Sequence, residues 1–117
     1  MSGWTGLELY TDAWGNQDGY EPARVRENSN LANSAWIEAY LTYSGTTSGA
    51  PLITEGSLPD GCFDTENFHT VMADCLTSDG EPSGACEFLI GTDGTVSTAY
   101  VPEGTAFVHV NAIYPTS

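Results

Sequence analysis

Gly84–Tyr114 reads GACEFLIGTDGTVSTAYVPEGTAFVHVNAIY. Three β-prone runs are separated there by Asp93-Gly94 and by Val101-Pro102-Glu103-Gly104. Asp-Gly suits the two positive-φ positions of a two-residue type I′ hairpin. With that turn, Thr92 faces Thr95, Ile90 faces Ser97, Phe88 faces Ala99 and Cys86 faces Val101. All share one face, because side chains alternate along a strand. Glu87, Leu89, Gly91, Val96, Thr98 and Tyr100 take the other. At the second turn, the fixed φ of proline and the left-handed freedom of glycine set Val101 opposite Thr105. The third strand then adds Phe107, His109 and Ile113 to the first face, and Ala106, Val108, Val110, Ala112 and Tyr114 to the second. Both faces of this meander carry apolar area, whereas a sheet with one wet face alternates more cleanly. Each side therefore calls for a cover, and another subunit or a binding partner is a candidate for one of them.

The chain has 117 residues, enough for one domain with a single modest core. Thirteen glycines and a texture rich in Ser and Thr favour an all-β architecture, a small antiparallel sandwich or barrel with hairpin-connected strands. The formal net charge is −14, and Arg24 and Arg26 are the only cationic side chains besides two histidines. Phosphate neutralisation needs clustered Lys and Arg, so nucleic acid is not an expected partner; the same balance argues against binding an anionic membrane surface. Charge of this sign also keeps a β-protein soluble and its edges unpaired. Three cysteines, Cys62, Cys75 and Cys86, make an odd number with no Cys-x-x-Cys pair. The start shows neither a basic n-region nor an apolar h-region, so reduced thiols serving as small core hydrophobes are the expectation.

Residues 1–33 differ in texture from the rest. Trp4, Leu7, Leu9, Tyr10, Trp14 and Tyr20 are strewn among Gly, Asn and Asp, and only Leu7–Thr11 resembles a strand. The segment reads as an extended N-terminal arm of little regular structure, ahead of a β-domain at 34–117. Its aromatics need a surface, supplied either by this domain or by a neighbour. In SAWIEAYLTY, 34–43, a strand places Ala35, Ile37, Ala39, Leu41 and Tyr43 on one apolar face, against Trp36, Glu38, Tyr40 and Thr42. A helix would pair Trp36 with Tyr40 and Ile37 with Leu41; the strand accounts for more positions. Ser44–Ala50 is loop. Further strands are expected at Leu52–Glu55 and Phe68–Leu76. The three x-Pro-x-Gly stretches, at 58–61, 81–84 and 101–104, are read as turns leading into strands.

No catalytic, cofactor or metal residues are assigned. There is no G-x-S-x-G elbow, and neither His69 nor His109 has a ligand-spaced neighbour. A zinc site from Cys62, His69, Cys75 and Cys86 would lack the usual closely spaced ligand pairs. Asp12–Glu21 fails as an EF-hand, with Trp14 where the first aspartate is required. His109 reads as a half-buried or interface histidine.

An acidic, lysine-free β-domain of one core, with an aromatic-rich arm at 1–33 and a hairpin meander at 84–114, resembles the small cement or decoration proteins of tailed bacteriophage capsids. The resemblance implies a non-enzymatic virion protein that binds the major capsid protein or a similar shell subunit. It further implies homotrimers on the outer shell, with arms lying across neighbouring subunits. The expected contact residues are Trp4, Leu7, Leu9, Tyr10, Trp14, Arg24 and Arg26 in the arm, with Tyr100, Val108 and Val110 on the second sheet face. Deleting residues 1–26 is expected to weaken attachment and leave the β-domain folded. Two alternatives stay open: a ligand-binding β-sandwich whose Trp and Tyr rings stack on glycans, and an acidic inhibitor of a basic host protein.

Overall fold

The spine of the computed structural model is β4, Ser34–Tyr43; the structure describes residues 3–11, 13–45, 52–98 and 100–117. Ala35, Ile37, Ala39 and Leu41 are buried and Trp36, Glu38 and Tyr40 half-buried, so SAWIEAYLTY alternates as a strand. One edge of β4 pairs along nine positions with β8, Phe107–Pro115. The other edge pairs with β3, Arg24–Glu27, and then with β2, Trp14–Asn16. With both edges engaged, the backbone donors and acceptors of a ten-residue strand are satisfied between neighbours, which a ten-residue helix could not match without caps.

The remaining strands are β1 (Thr5–Gly6), β5 (His69–Leu76), β6 (Pro82–Ile90) and β7 (Val96–Thr98). All pairings are antiparallel, in the order β1-β3-β4-β8-β5-β6-β7 with β2 also on β4, and no helix occurs among the described residues. The sheet rolls into a half-barrel, and residues 52–55 span its open side. Leu52 bridges Ser97 beside β7, and Thr54 bridges Leu9 just beyond β1. Ile53 N donates to Val96 O at 2.8 Å, and Tyr10 N to Ile53 O at 2.8 Å. Leu52–Glu55 thus supplies bridges rather than a full strand. Inside lie Val25, Ile37, Leu41, Ile53, Phe88, Ile90, Val96, Val108, Val110 and Tyr114, all essentially without solvent contact.

Two corrections concern the C-terminal third. The Asp93-Gly94 hairpin is not a two-residue turn. Ile90 pairs with Val96 and Phe88 with Thr98, while Gly91 N donates to Thr95 O and Gly94 N to Gly91 O. Three residues form the loop, with Gly94 left-handed at φ +84°. This is the three-residue hairpin in which glycine follows a type I turn. Thr77–Glu81 repeats it, with Thr77 N to Glu81 O at 2.8 Å and Gly80 at φ +83°. In Gly91–Thr95, Asp93 Oδ1 accepts from Thr95 N and Thr95 Oγ1, which holds the turn one residue wider than Asp-Gly alone suggests. The one-residue shift moves Val96 and Thr98 to the face of Cys86, Phe88 and Ile90, and all five are buried. Ala99, the expected partner of Phe88, lies outside the described residues.

The second correction is topological. β8 does not continue a meander from β7; it inserts between β4 and β5. The Pro102–Thr105 turn exists, with Thr105 N on Pro102 O and Gly104 at φ +84°. Ala106 then bonds to Leu76 and Tyr43 across the barrel end. A three-residue β7 offers few ladder bonds, whereas β4 offers nine pairs and β5 three more. The outward residues of β6 to β8 are consequently mixed: Glu87, Leu89, Ser97, Phe107, His109, Asn111 and Ile113. The meander is not apolar on both sides.

The other x-Pro-x-Gly stretches also differ from expectation. Glu81–Gly84 enters β6, where the pairing shifts between Cys75 and Leu76 around Ser83, a β-bulge. Leu58–Gly61 is a turn, but Cys62-Phe63 after it is not a strand. Of the two surfaces open to residues 1–33, the described part takes the chain's own domain. It contributes three short strands and buries Leu9, Trp14, Ala23 and Val25 in the core. Removing residues 1–26 would strip four core side chains and two pairing partners of β4, so a folded remainder is not expected. Residues 46–50 of the predicted loop and Asp12 of the acidic stretch lie outside the described residues.

Candidate functional site

Both arginines come to the outer face of the half-barrel, at the corner formed by β3 and β4. Strand alternation sends Val25 inward and Arg24 and Arg26 outward. Register then sets Arg24 opposite Glu38 and Arg26 opposite Trp36. Arg24 Nη2 and Nε reach Glu38 Oε1 at 2.8 and 3.0 Å, and Glu21 lies 3.9 Å away. Trp4 packs edge-on against Trp36 with centroids 5.0 Å apart. The Arg24 guanidinium sits 4.2 Å from the Trp4 ring, and that of Arg26 5.5 Å from it. Such cation–π contacts contribute about 0.5–2 kcal/mol each; the Arg24–Glu38 pair is itself mostly shielded from solvent. Aromatic packing thus holds the corner together with its charges. Trp36 Nε1 donates to Asn111 Oδ1 at 2.6 Å, linking the corner to β8.

A second aromatic group adjoins it on the same face. Tyr20, in the loop between β2 and β3, stacks on Tyr40 at 4.7 Å and leans on His109 at 5.2 Å. His109 Nε2 is 2.7 Å from Gln17 Oε1. Burial holds His109 below the usual histidine range, against the opposing pull of Asp74, its cross-strand neighbour on β5. Trp4 and Tyr20 therefore cover part of the outer face from within the chain. Beyond them it stays open: Ile113 on β8 and Met72 on β5 are more than half exposed.

The residues expected at an interface fall into three groups. Trp4, Arg24 and Arg26 meet at the corner. Tyr10 and Tyr100 are exposed but belong to other parts of the surface, and Leu7 is half-buried against the core. Leu9, Trp14, Val108 and Val110 are core side chains. These four are corrected: alternation turns them inward, and their cover is the opposite wall of the same half-barrel. Trp36, Glu38, Tyr40, Tyr20, His109 and Asn111 were not singled out. The signal for Trp36, Glu38 and Tyr40 was present in the alternation of β4, but which face is solvated was not.

Arg26 distinguishes the corner electrostatically. Its Nε donates to Glu27 O at 3.2 Å, yet among the described residues it forms no ion pair. In a chain of net charge −14, that is a cation held beside two indoles with no carboxylate on it.

Elsewhere, Asp64 is almost fully buried. Its oxygens take the backbone N–H of Glu66 and Asn67 and the His69 ring at 2.9 Å. The His69 contact first, and the backbone donors after it, hold its carboxyl down to about 2. Cys62, Cys75 and Cys86 are free and buried. The neighbouring Cys86 thiol, together with burial, raises Cys75. Among the described residues, no three His, Cys, Asp or Glu side chains converge as metal ligands. The described surface also carries concavities. One of about 380 Å³ lies between β1 and residues 54–59, and one of about 630 Å³ lies at the barrel end beside Tyr43 and Tyr100. Comparison with protein-family models, with curated proteins and with solved structures returns no match.

Proposed function

We propose that this is a non-enzymatic structural binding protein, a capsid decoration protein of the tailed-phage kind, that docks on its shell through the outer β3–β4 corner. The observation that carries the proposal is the gathering of both arginines with Trp4 and Trp36 on one sheet face. Trp, Tyr and Arg are the usual anchors of protein interfaces, and the rest of the surface is acidic. Arg26, which forms no ion pair among the described residues, takes a carboxylate from the partner; a planar guanidinium receives it bidentately. The open apolar surface beyond, at Ile113 and Met72, continues the contact toward a neighbouring shell subunit or a second and third copy of this chain.

The test is cosedimentation with tailed-phage heads stripped of decoration, together with mass measurement of the free protein for the trimer. Arg26→Ala and Trp4→Ala are each expected to weaken attachment about 30-fold or more, the effect of a 2 kcal/mol hot spot. Circular dichroism should stay unchanged, since neither side chain is in the core. Attachment that survives both variants, or no attachment to any head, removes the proposal. The glycan reading gains one observation, because Tyr20 and Tyr40 stack beside the polar side chains of Gln17 and Asn111. A Tyr20→Ala variant that lost oligosaccharide binding and kept shell binding would support it.

A further inference from the structure

The barrel-end groove is separate from the outer corner. Its walls are Tyr43 at the end of β4, Ser44, Ser78 of the β5–β6 turn, and the loop from Tyr100 to Ala106. The loop is anchored at several points. Ser83 and Thr105 hydroxyls are 2.8 Å apart, and Ala106 N donates to Leu76 O at 2.7 Å. Pro102 packs so closely on Gly84 that a Cβ there would come within 3.1 Å of it. Tyr43 is held by Trp14 at a centroid distance of 4.8 Å, so one aromatic wall is fixed before any ligand arrives. Tyr100 is the other, 57% exposed.

Among the described residues, the carboxyl lining this groove is Glu103, and no lysine, arginine or histidine lines it. Neither the Glu103 carboxylate nor the Tyr100 hydroxyl has a hydrogen-bond or ion-pair partner among the described residues. Both arginines sit on β3, opposite Glu38 and Trp36, about 17 and 24 Å along β4 from Tyr43 at the usual strand rise. Two electron-rich ring walls and an unpaired carboxylate, within the field of a −14 chain, favour a positive ligand with apolar faces. A fixed anion would be repelled by Glu103 and by the net charge. A neutral ligand would gain from the rings but leave the carboxylate unused.

We infer that the groove beside Tyr43, Tyr100 and Glu103 binds an organic ammonium group, the rings receiving its methyl or methylene surface and Glu103 its charge. The probe is choline, titrated at physiological salt, where bulk counter-ion attraction is screened, and followed by amide NMR shifts. Its neutral isostere 3,3-dimethyl-1-butanol and the neutral oligosaccharide maltoheptaose run as parallel arms. Saturable shifts are expected at Tyr100, Glu103 and Thr105. Affinity for the isostere should be about 10-fold lower, the value of one lost charge-assisted contact. Glu103→Gln and Tyr100→Ala should each weaken choline by about the same factor, with the rest of the amide spectrum intact. Glu87→Gln, on the outer face of β6, should leave it unchanged. Equal binding of choline and isostere, saturation by maltoheptaose alone, or equal loss in Glu87→Gln and Glu103→Gln would each overturn the assignment. So would the absence of saturable shifts at the groove. Arg26→Ala affects none of these readings, so failure here is distinct from failure of the shell-binding proposal.

Discussion

Val108 and Ile113 lie on the same strand and face opposite ways, and truncating each to alanine separates core from open face. Val108 has no solvent contact and sits opposite Leu41 on β4 and Cys75 on β5. Losing two methyl-sized groups there costs about 1.6 kcal/mol in transfer, at roughly 0.8 per group. The cavity left between two paired strands adds about 1 more, so Val108→Ala is expected to destabilise by about 2–3 kcal/mol. Ile113 is 54% exposed, and Ile113→Ala should change stability by no more than about 0.5 kcal/mol. Urea unfolding followed by far-UV circular dichroism, at two protein concentrations, reads both. A Val108→Ala loss below about 0.5 kcal/mol would refute the placement of β8 between β4 and β5. An Ile113→Ala loss that is larger at the higher protein concentration and shrinks on dilution would instead show that the open face is covered by another copy.

Three other outcomes follow from local geometry. Gly80 and Gly94 hold the same left-handed φ, but a Cβ at Gly80 meets nothing while one at Gly94 would come within 2.9 Å of Phe63. Gly80→Ala should therefore cost about 1 kcal/mol and Gly94→Ala distinctly more, by thermal melting. Because the folded-state Asp64 carboxyl is depressed, its stabilisation is complete above the unfolded carboxylate pKa near 3.8 and is lost as pH falls toward 2. Asp64→Asn should melt lower than wild type at pH 6, with the gap closing by pH 2. With all three thiols buried and Cys62 and Cys75 raised, a thiol reagent at neutral pH should label none quickly in native protein and three in denaturant.

The all-β class was readable because strand signals are local. SAWIEAYLTY and His69–Leu76 alternate with period two over eight to ten residues, and no helical pairing explains as many positions. Which side chains share a face on β4 and β5 follows from that alternation alone. The turn at Asp93-Gly94 was visible as a turn, but its width was not. The same two residues fit a two-residue loop and the glycine end of a three-residue loop. The choice rests on Asp93 capping Thr95, and it moves Val96 and Thr98 to the other face.

The candidate site divides in the same way. Alternation alone put Trp36, Glu38 and Tyr40 together on β4, and composition made the two arginines conspicuous in an acidic chain. That Trp4 would stack on Trp36, or Tyr20 on Tyr40 and His109, depended on contacts between positions 20 to almost 90 residues apart, and local pattern holds no information about such pairs. Leu9 and Trp14 looked like interface anchors because a short, polar-rich segment shows no periodicity. Only the closing of the half-barrel through residues 52–55 reveals that they complete its interior. Strand order was likewise decided in three dimensions: β8 takes the place with the most ladder bonds, between β4 and β5, rather than the place next to it in sequence. What a strand is, and which of its residues share a side, is written in neighbours two apart; what each side meets is settled by burial and hydrogen bonding summed over the whole chain.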